Sequence, residues 1–540
     1  MSDSNRFNLS EIKNNGENNQ TWSEVVADQI ISLSLDENKK EEYKEEYTVA
    51  AGISPSGIVH FGNFRDIMTV QMVKEALEKK GKKVKFIFSW DNFDRLRKVP
   101  VGVSESFVQY VGKPLSKIPD PFGTCHISYA EHFQSAFVQA LEKLGIEIEY
   151  RNQTELYESG VYDEMIKFAM GERKKIAEIL VFFMSEKAIE EKKIDTLKYI
   201  EDFYPISVYS RFTGKDSTKI LEYHDNDLGD MQITYLCLET QQKDTVNLKK
   251  EHIAKLNWKI DWPMRWKYEK VCFEPGGSDH AAPGGSYDVS SKIAKNIFKI
   301  DPPTFVEYLF VGIRGLGSKM SGSKGNAVSV LDLLEIYDPK ILKWLYQRRD
   351  PNQSFQLAFD SEVFRQYDEY DKVFPEVEPR GSQPISFKQM VGLGQILQWQ
   401  IDKIFFIIKD LDLNYSEESV RQRLPLARNW LVKYNASEII ELRKEKNKEY
   451  FENLPENRKD FIKKLYQELK NKIDASVADL EFLTYQIPKD LELPEVELKK
   501  IQRTFFQDIY NLLISKDTGP RLGIFLWSTD RNKVLELLEF

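Results

Sequence analysis

Residues 52–63 have a composition that suits the binding of phosphate groups, reading Gly52-Ile53-Ser54-Pro55-Ser56-Gly57-Ile58-Val59-His60-Phe61-Gly62-Asn63. Gly57 and Gly62 leave room for a nucleotide to lie close to the backbone. His60 and Asn63 are three residues apart and can point at one ligand, and a histidine can donate a hydrogen bond to a phosphate oxygen as negative charge builds there. A plain turn with a surface histidine explains the segment about as well, because glycine-rich turns alone are weak evidence.

A second segment is rich in lysine, serine and glycine, and it reads Gly315-Leu316-Gly317-Ser318-Lys319-Met320-Ser321-Gly322-Ser323-Lys324-Gly325-Asn326. A flexible cationic loop of this kind can close over a triphosphate and cancel charge during displacement at phosphorus. A solvated basic turn is the alternative for the segment taken alone. The presence of both segments in one chain, each beside a predicted α/β core, favours the chemical interpretation.

Strand and helix signals alternate around the first segment. The β-prone run 47–51 precedes it and the helical apolar pattern 63–80 follows it. Thr21 and Glu24 fit a capping box for an N-terminal helix. Further predicted elements are that helix at 22–34, a strand at 84–88, a helix at 131–144 and a strand at 146–150. The alternation predicts a parallel sheet with crossover helices, in which ligands bind at the carboxyl ends of the strands and helix N-termini offer free N–H groups to phosphate.

The rest of the chain changes character twice. Helical spacing dominates residues 160–193, whereas 194–230 is irregular and polar. From about 375 to 540 nearly the whole sequence has helical apolar spacing and many Lys/Glu pairs. The sequence therefore predicts an α/β fold, with a Rossmann-like parallel-sheet catalytic domain that carries insertions, followed by an all-α C-terminal domain.

Composition narrows the class of protein. The 540 residues are 41% hydrophobic and 30% charged, which excludes a wholly disordered, collagen-like or disulfide-scaffold protein. The net charge of −9 argues against a simple basic nucleic-acid coat, but not against a local basic groove. The three cysteines, Cys125, Cys237 and Cys272, form no metal-binding pair in sequence, and no apolar run is long enough to span a bilayer. We expect a cytoplasmic protein in a reducing compartment, without a membrane partner.

Short motifs identify a family resemblance. His60-Phe61-Gly62-Asn63 resembles the HIGH signature of class I aminoacyl-tRNA synthetases, and Lys319-Met320-Ser321-Gly322-Ser323 resembles their KMSKS loop. Three stretches resemble the class I type of lysyl-tRNA synthetase in particular: Ser-Trp-Asp-Asn-Phe-Asp-Arg-Leu-Arg-Lys-Val-Pro at 89–100, Asp-Trp-Pro-Met-Arg-Trp at 261–266 and Gly-Gly-Ser-Asp-His at 276–280. The resemblance covers about residues 20–350 by motif and the remainder by helical character only.

The resemblance implies a lysine–tRNA ligase that works in two steps. The lysine carboxylate attacks the α-phosphate of ATP, giving lysyl-adenylate and pyrophosphate, and the terminal ribose of tRNA(Lys) then takes the lysyl group. His60, Asn63, Lys319 and Lys324 are the expected catalytic residues. Gly322 stands where many class I enzymes carry a lysine, so the role of a second cation is open and Lys324 is the candidate for it. Mg²⁺ is expected on the phosphates.

The resemblance also implies two sets of binding residues. ATP is expected to contact Ser54, Pro55, Ser56, Gly57, His60, Gly62, Asn63, Gly277, Asp279, His280, Lys319, Met320, Ser321, Gly322 and Ser323. The lysine pocket is expected to be formed by Gly52, Ser54, Asp91, Trp258, His280 and Tyr308. Asp91 follows the second strand and could hold an amino group, while aromatic walls suit the lysine stem. Packing in the core is an equally good explanation for Trp258, and His280 could be a structural histidine.

By the same resemblance the chain divides into six segments. They are an N-terminal extension and helix (1–45), the first half of the catalytic domain (46–165), an insertion on the acceptor-stem side (166–255), the second half of the catalytic domain (256–312), the KMSKS loop with a stem-contact region (313–375) and an α-helical anticodon-binding domain (376–540). Arg503, Arg521 and Arg531 could contact tRNA there, although a solvated helix face is the favoured explanation for them.

Zinc is not expected. Some archaeal relatives carry cysteine-rich zinc sites in the insertion, but the comparable stretch here, 204–225, contains no cysteine. A structural zinc ion needs four nitrogen or sulfur ligands, which His224 alone cannot supply.

Two other functions stay open. The chain could be a related class I synthetase, for instance a glutamate-specific one, or a synthetase-like binding or regulatory protein that has lost catalysis. The presence of His60, Asn63, Lys319 and Lys324 argues against the second alternative.

Overall fold

The computed structural model describes residues 5–7, 20–34, 46–225, 230–314, 327–375, 382–472, 474–489 and 494–540. These residues form two compact units. The first unit comprises the described residues of 1–312, 317–334 and 342–357, and the second comprises those of 313–316, 335–341 and 358–540.

The strands belong mainly to the first unit. They are β1 (Tyr47–Ile53), β2 (Val84–Trp90), β3 (Glu149–Asn152), β4 (Ile206–Val208), β5 (Thr218–Asp225), β6 (Met231–Cys237), β7 (Lys243–Asn247), β8 (Ala254–Leu256), β9 (Val271–Phe273), β10 (Gly276–Gly277) and β11 (Glu307–Tyr308). Two more strands, β12 (Val311–Arg314) and β13 (Phe355–Ala358), have residues in both units.

The helices of the first unit connect and cover these strands. They are α1 (Trp22–Ser34), α2 (Phe64–Lys79), α3 (Tyr129–Lys143), α4 (Gln153–Glu158), α5 (Asp163–Gly171), α6 (Arg173–Phe182), α7 (Glu186–Glu191), α8 (Thr196–Asp202), α9 (Leu248–Glu251), α10 (Trp258–Glu269), α11 (Ser278–Ala281), α12 (Ser286–Ile293) and α13 (Val330–Leu334). Helix α14 (Pro339–Gln347) has residues in both units.

A four-stranded parallel sheet forms the centre of the first unit, in the order β3-β2-β1-β9. Successive crossovers run from β1 through α2 to β2 and from β2 through α3 to β3, as the alternating sequence signals predict. The chain then returns to the other side of β1 as β9. The strand order therefore reverses at the carboxyl end of β1, which is the position where an open parallel sheet forms a ligand crevice.

Side-chain chemistry explains why these elements form. Val49, Ala50 and Ala51 in β1 are buried, so the β-prone run fills the middle of the sheet. Helix α1 begins after a capping box, since the Glu24 N–H donates to Thr21 Oγ1 (3.4 Å) and the Thr21 N–H donates to Glu24 Oε2 (2.9 Å). Helices α1, α2 and α3 and strand β2 all lie within three residues of their predicted bounds at each end.

The insertion differs from its prediction. Residues 194–230 are not simply irregular, because β5 pairs with β6 and β6 pairs with β7 in an antiparallel sheet. Strand β6 alternates buried and more exposed positions along its whole length. That period of two was visible in the sequence, but its neighbours carry mostly polar side chains that hide the same pattern.

The second unit is built from helices. They are α15 (Glu362–Val373), α16 (Phe387–Ile396), α17 (Ile401–Asp410), α18 (Glu417–Asn429), α19 (Lys448–Glu452), α20 (Glu456–Asn471), α21 (Val477–Gln486), α22 (Glu495–Ile514), α23 (Leu522–Ser528) and α24 (Arg531–Leu538). This agrees with the helical spacing of the C-terminal sequence. Among the described residues of the chain, no helix has both the length and the apolar character needed to cross a bilayer.

Candidate active site

A cleft of about 900 Å³ opens at the carboxyl ends of β1 and β2. It brings together residues from distant parts of the first unit. The predicted site residues that line it are Gly52, Ser54, His60, Gly62, Asn63, Asp91, Trp258, Gly277, Asp279, His280 and Tyr308. The cleft therefore joins most of the described residues expected at the ATP and lysine sites.

His60 and Asn63 present hydrogen-bond donors to the cleft. The Gly62 backbone N–H donates to His60 Nδ1 (3.0 Å), so the proton of a neutral imidazole is on Nε2. Burial lowers the pKa of His60, which favours that neutral form. The His60 backbone N–H donates to Asn63 Oδ1 (3.1 Å), so the amide nitrogen of Asn63 is left as the donor. Local backbone contacts thus fix two neutral N–H donors on one side of the cleft.

The turn that precedes His60 is shared between two cavities. Ser54 lines the main cleft, whereas Ser56 and Gly57 line an adjoining cavity of about 410 Å³ that also contains Arg97 and Lys98. Pro55 is buried and lines neither cavity. Ser56 and Gly57 thus border the cavity next to the main cleft, whereas Pro55 borders neither.

A buried network of charges forms the floor of the cleft. Asp91 pairs with Arg265 (2.7 Å), and Asp94 pairs with Lys255. Asp261 contacts both cations, at 3.0 Å from Arg265 and 3.5 Å from Lys255. Among these five side chains, three carboxylates face two cations, which leaves one formal negative charge.

The pKa shifts of this network follow from its burial and its charges. Burial raises the pKa of Asp91, although the Arg265 guanidinium opposes the rise. For Asp94 burial acts in the same direction, but the Lys255 ammonium outweighs it and the pKa is lowered. Of the two carboxylates, Asp91 and Asp94, the charge of Asp91 is thus less well compensated. An additional cation in the cleft would stabilise the charged form of Asp91.

A fourth carboxylate, Asp66, also lines the cleft. Its pKa is raised well above the usual value, first by burial and then by the negative charge of Glu274. The hydroxyl of Tyr308 hydrogen-bonds to Asp66, and the pKa of Tyr308 is also raised by burial. Tyr308 thus lies in the cleft as predicted, with its ring held in place by a partner that the sequence analysis did not name.

Aromatic rings form the remaining wall. Trp258 stacks on Trp262, with ring centroids 5.0 Å apart, and Trp262 and Trp266 are buried in the core. Trp258 is only partly buried and lines the cleft, with its ring 6.3 Å from that of His280. Sequence analysis offers two explanations for a tryptophan here, a pocket wall or packing in the core. Two rings of the cluster pack in the core, and Trp258 lines the cleft.

Sequence reasoning missed several residues of this site. Asp66, Asp94 and Lys255 line the cleft, as do Arg95 and Asp216, which pair at 2.8 Å. One signal was available for Lys255, because a lysine between Ala254 and Leu256 interrupts a buried apolar strand. The partners of these charges could not be read from the chain, since they lie far away in sequence.

The second of the two segments predicted to handle phosphate is the one at 315–326. Lys319, Met320, Ser321, Gly322, Ser323 and Lys324 lie outside the described residues. The chain that follows them returns to the first segment, because Ser329 forms an antiparallel bridge with His60 and the Phe61 N–H donates to the Val328 carbonyl (3.1 Å).

Four side chains of the first unit could hold a metal ion, away from the cleft lining. Asp120, Cys125, His126 and His132 place one ligand atom each within 4.8 Å of one another. Cys125 Sγ lies 3.2 Å from His126 Nδ1 and 3.4 Å from His132 Nδ1, and His132 Nδ1 lies 3.1 Å from an Asp120 oxygen. Cysteine, histidine and carboxylate side chains are ligands that zinc takes in proteins, so these four could hold such an ion.

The arginines singled out in the C-terminal sequence have different surroundings. Arg531 donates to the Leu469 carbonyl at 2.7 Å and to the Lys472 carbonyl, so it caps the end of α20. Arg521 pairs with Glu481 at 3.0 Å. Arg503 and Arg521 both line a cavity of about 580 Å³ in the helical unit.

A parallel sheet with the His60–Asn63 turn at its switch point is the arrangement expected of a class I aminoacyl-tRNA synthetase. The family model described as tRNA synthetases class I (K) matches residues 20–389. Curated relatives named lysine–tRNA ligase match nearly the whole chain. That of Streptomyces coelicolor is 34% identical over 577 residues, covering 96% of this chain and 98% of the relative. Those of Pyrococcus horikoshii (34% over 547 residues, 96% and 99%) and Borreliella burgdorferi (33% over 534 residues, 94% and 96%) are similar. The chain therefore belongs to the family of tRNA synthetases class I (K).

Proposed function

We propose that this chain activates L-lysine with ATP and transfers it to the 3′ end of tRNA(Lys), as a lysine–tRNA ligase. Membership of the family and the shared name of its full-length relatives support this activity. The structural observation that carries the proposal is the cleft in which the N–H donors of His60 and Asn63 share a cavity with the buried carboxylate of Asp91. These groups suit a substrate pair of opposite charge, an anionic phosphate and a cationic amino acid.

In the first step, a carboxylate oxygen of lysine forms a bond to the α-phosphorus of ATP. The bond from that phosphorus to the bridging oxygen breaks, and pyrophosphate leaves with the electron pair. The protein forms no covalent bond, so its contribution is to align the reactants and to stabilise charge at phosphorus.

His60 and Asn63 supply that stabilisation in our proposal. Their N–H groups are held by hydrogen bonds to neighbouring backbone groups, so they need no reorganisation when negative charge grows on the phosphate oxygens. The nucleotide would lie along Ser54, Gly62 and the Gly277–His280 segment, all of which border the cleft. Ser56 and Gly57 would contact it from the adjoining cavity.

Lysine fits the opposite end of the cleft. Asp91 belongs to a network with one excess negative charge, so an ammonium group of the substrate would complete the charge balance. Trp258, His280 and Tyr308 supply walls for the alkyl stem, and Gly52 and Ser54 border the pocket on the β1 side. A neutral or acidic amino acid would leave the network uncompensated, which disfavours a glutamate-specific enzyme.

In the second step, a hydroxyl of the terminal ribose of tRNA attacks the lysyl carbonyl, and AMP leaves with the bonding electrons. Lys319 is proposed to neutralise the pyrophosphate in the first step, with Lys324 as the second cation and Mg²⁺ on the phosphates.

Residues 166–255 are proposed to face the acceptor stem and 376–540 to bind the anticodon, and the six-segment division of the sequence remains a proposal.

For zinc, the geometry leads to a different proposal from the one that the sequence favours. The expectation of no zinc considers only residues 204–225, and the Asp120, Cys125, His126 and His132 cluster lies outside that stretch. We propose that this cluster binds a structural zinc ion, with its four side chains as a closed ligand set. The ion would hold together the loop that leads into α3.

Metal analysis tests the zinc proposal. Protein purified without chelator should contain about one zinc ion per chain, and Cys125→Ser should lose most of it. His224→Gln is the matched control, because His224 is exposed and is not one of the four residues of the cluster. Wild-type protein that binds no zinc when the metal is added would restore the original expectation.

The ligase proposal is tested by amino-acid-dependent exchange of pyrophosphate into ATP, run across all twenty amino acids with and without tRNA(Lys). Of the twenty amino acids, we expect lysine and no other to support exchange. Stimulation by glutamate and not by lysine would favour the related synthetase. A protein that binds tRNA yet never forms an adenylate would favour the regulatory alternative.

A further inference from the structure

Two buried tyrosines of the first unit donate hydrogen bonds to the turn that carries His60. The hydroxyl of Tyr129 donates to the Ser56 carbonyl (3.0 Å), and the hydroxyl of Tyr346 donates to the Phe61 carbonyl (2.8 Å). These two carbonyls come before and after His60 in the chain. Neither tyrosine lines the main cleft or the adjoining cavity, so neither would touch a substrate bound there.

Tyr129 is held in place by its own surroundings. It is the first residue of α3, and its backbone N–H donates to the Ile118 carbonyl (2.8 Å). Its ring is fully buried and lies 4.9 Å from the ring of Phe133, in an apolar cluster that includes Leu96 and Leu115. Burial also raises the pKa of Tyr129, so the hydroxyl keeps its proton and remains a donor to the turn.

Tyr346 is also fully buried, and it lies in the part of α14 that belongs to the first unit. Arg65, the second residue of α2, is 2% exposed and donates to the Tyr346 carbonyl (2.9 Å) and to the Asp350 carbonyl (2.7 Å). The ring of Tyr346 meets the ring of Phe64 edge-on, with centroids 4.9 Å apart. The backbone and the ring of Tyr346 are thus both constrained, which fixes its hydroxyl beside the Phe61 carbonyl.

The turn lies between the end of β1 at Ile53 and the start of α2 at Phe64, so it lacks the continuous ladder of backbone hydrogen bonds of a strand or helix. Its conformation has to be accurate all the same, because a 1 Å misplacement at a reacting centre can cost about 100-fold in rate. The two hydroxyl donors are 73 and 285 positions away from their acceptors in sequence. Distant parts of the first unit therefore restrict the turn on both sides of His60.

From these contacts we propose that Tyr129 and Tyr346 are positioning residues for the activation of lysine. By holding the Ser56 and Phe61 carbonyls, they keep the imidazole of His60 directed at the phosphate that lysine attacks. The inference deepens the proposed function and rests on it, because it takes His60 as the donor to that phosphate. A hydroxyl that only satisfies a buried carbonyl would stabilise the fold equally well, so the experiments have to separate positioning from stability.

The kinetics of two phenylalanine variants provide the first test. Tyr129→Phe and Tyr346→Phe each remove one oxygen atom and keep the ring, so both are expected to fold. In lysine-dependent exchange of pyrophosphate into ATP, each should lower kcat about tenfold, while the KM values for lysine and ATP change by less than about twofold. We expect this split because the His60 donor stabilises the transition state more than the bound substrates. A kcat like that of the wild type, with or without a raised KM, would overturn the proposal for that tyrosine.

Tyr287→Phe is the matched control. The Tyr287 hydroxyl is equally buried and donates to the Pro303 carbonyl at 3.0 Å, as Tyr129 does to Ser56, but Pro303 lies outside the turn. We expect Tyr287→Phe to lower the urea midpoint of unfolding about as much as Tyr129→Phe does, and to keep the kcat of the wild type. An equal loss of kcat in Tyr287→Phe would show that any missing buried hydroxyl slows the reaction, and the proposal would be wrong.

Dependence on His60 separates positioning from a general structural effect. In a His60→Ala background, Tyr129→Phe and Tyr346→Phe should lower the remaining exchange by less than about twofold, because the group that they position is gone. A loss of about tenfold that persists in this background would mean that the tyrosines act independently of His60, and it would overturn the proposal.

The ring of His60 reports the same dependence without a reaction. Its Nδ1 atom accepts from the Gly62 N–H (3.0 Å), inside the turn that the tyrosines hold. In protein with nitrogen-labelled histidine, Tyr129→Phe and Tyr346→Phe should shift or broaden the Nδ1 signal of His60, whereas Tyr287→Phe should leave it as in the wild type. An Nδ1 signal that is unchanged in both of the first two variants would overturn the proposal.

Failure of the ligase proposal has a different result, because the wild type itself would then support no lysine-dependent exchange. If another amino acid supports exchange instead, the same kinetic comparisons run with that amino acid test the two tyrosines. The NMR comparison needs no substrate, so it decides in either case whether the tyrosines hold the ring of His60.

Discussion

The cleft of the first unit and a cavity of about 690 Å³ in the helical unit, bordered by α16 and Trp430, differ in how their charged side chains are arranged. In the cleft, Arg265 pairs with Asp91 and Lys255 contacts Asp261, and all four side chains are buried. In the helical cavity the interior is aliphatic and aromatic, and cations such as Lys388 and Arg521 are exposed. A site that must stabilise changing charge at phosphorus benefits from fixed charges and dipoles.

This contrast also separates the consequences of substitution. A buried charge cannot lose its partner without leaving another charge unpaired, whereas a glycine that borders an empty cavity can gain atoms at little cost. Substitutions in the cleft should therefore have larger effects than substitutions in the helical cavity.

The largest effect is expected for Arg265→Met. Arg265 neutralises Asp91 and Asp261, so its loss takes the cation from Asp91 and leaves Lys255 to contact both Asp94 and Asp261. We expect the free energy of unfolding to fall by about 3–5 kcal/mol. Urea unfolding followed by tryptophan fluorescence measures this, because the Arg265 guanidinium lies 5.1 Å from the centre of the Trp258 ring.

An exposed arginine in the helical unit provides the control for that measurement. Arg365 pairs with Glu362 and Glu369 on the surface of α15, and Arg365→Met should cost less than about 1 kcal/mol. Equal losses for the two variants would contradict the view that buried pairing distinguishes the cleft.

A somewhat smaller effect, measured on the reaction, is expected for His60→Ala. Removal of one preorganised donor typically slows the chemical step by about 100- to 1000-fold. We expect that loss in lysine-dependent pyrophosphate exchange, with a modest change in ATP binding, because the hydrogen bond strengthens only in the transition state. His224→Ala replaces an exposed histidine and should leave exchange unchanged. An unaltered rate in His60→Ala would remove His60 from the mechanism.

Local features of the site could be predicted from the sequence, whereas long-range partners could not. The strand-turn-helix context of His60 follows from apolar spacing and two glycines, which act over a few residues. Asp91 was assigned as a candidate because it follows a strand, but its partner Arg265 is 174 positions away. Asp94 and Lys255 are separated by 161 positions. Such pairs depend on which strands become neighbours, and no local pattern records that.

The family assignment, by contrast, required little of this geometry. The His60–Asn63 turn and the motifs at 89–100, 261–266 and 276–280 were sufficient to predict the class I lysyl type, and the match to residues 20–389 confirms the family. The metal cluster was missed because two of its ligands are adjacent, at Cys125 and His126, and the other two lie five or six positions away. That spacing differs from the paired-cysteine pattern by which zinc sites are usually identified in a sequence.

A smaller effect in the cleft is expected from the protonation of His60. Burial lowers its pKa below the usual value of about 6.5, so the folded protein keeps the imidazole neutral at a pH where the unfolded chain takes up a proton. As the pH falls from about 6.5 to the lowered pKa of His60, protonation of the unfolded chain reduces the free energy of unfolding. Above about 6.5 both states are neutral at this residue, and it does not change the free energy of unfolding. Above it we expect the Nε2–H tautomer.

Nitrogen-detected NMR on protein with labelled histidine can follow this titration, since the chain has six histidines and His60→Gln assigns the signal. A midpoint at or above the usual value, or a proton on Nδ1, would contradict the donor geometry inferred from the Gly62 N–H contact.

The smallest effect is expected in the helical cavity, where two glycines of α16 give opposite results. Gly392→Ala adds a methyl group in open space and should raise the free energy of unfolding by about 0.5–1 kcal/mol, through helix propensity alone. Gly394→Ala places the same methyl group against the Trp399 ring and should lower it by about 1–3 kcal/mol. Chemical denaturation of the two variants measures both signs. If Gly392→Ala is destabilising, the added methyl group must meet a neighbouring atom, and the space beside Gly392 would not be open.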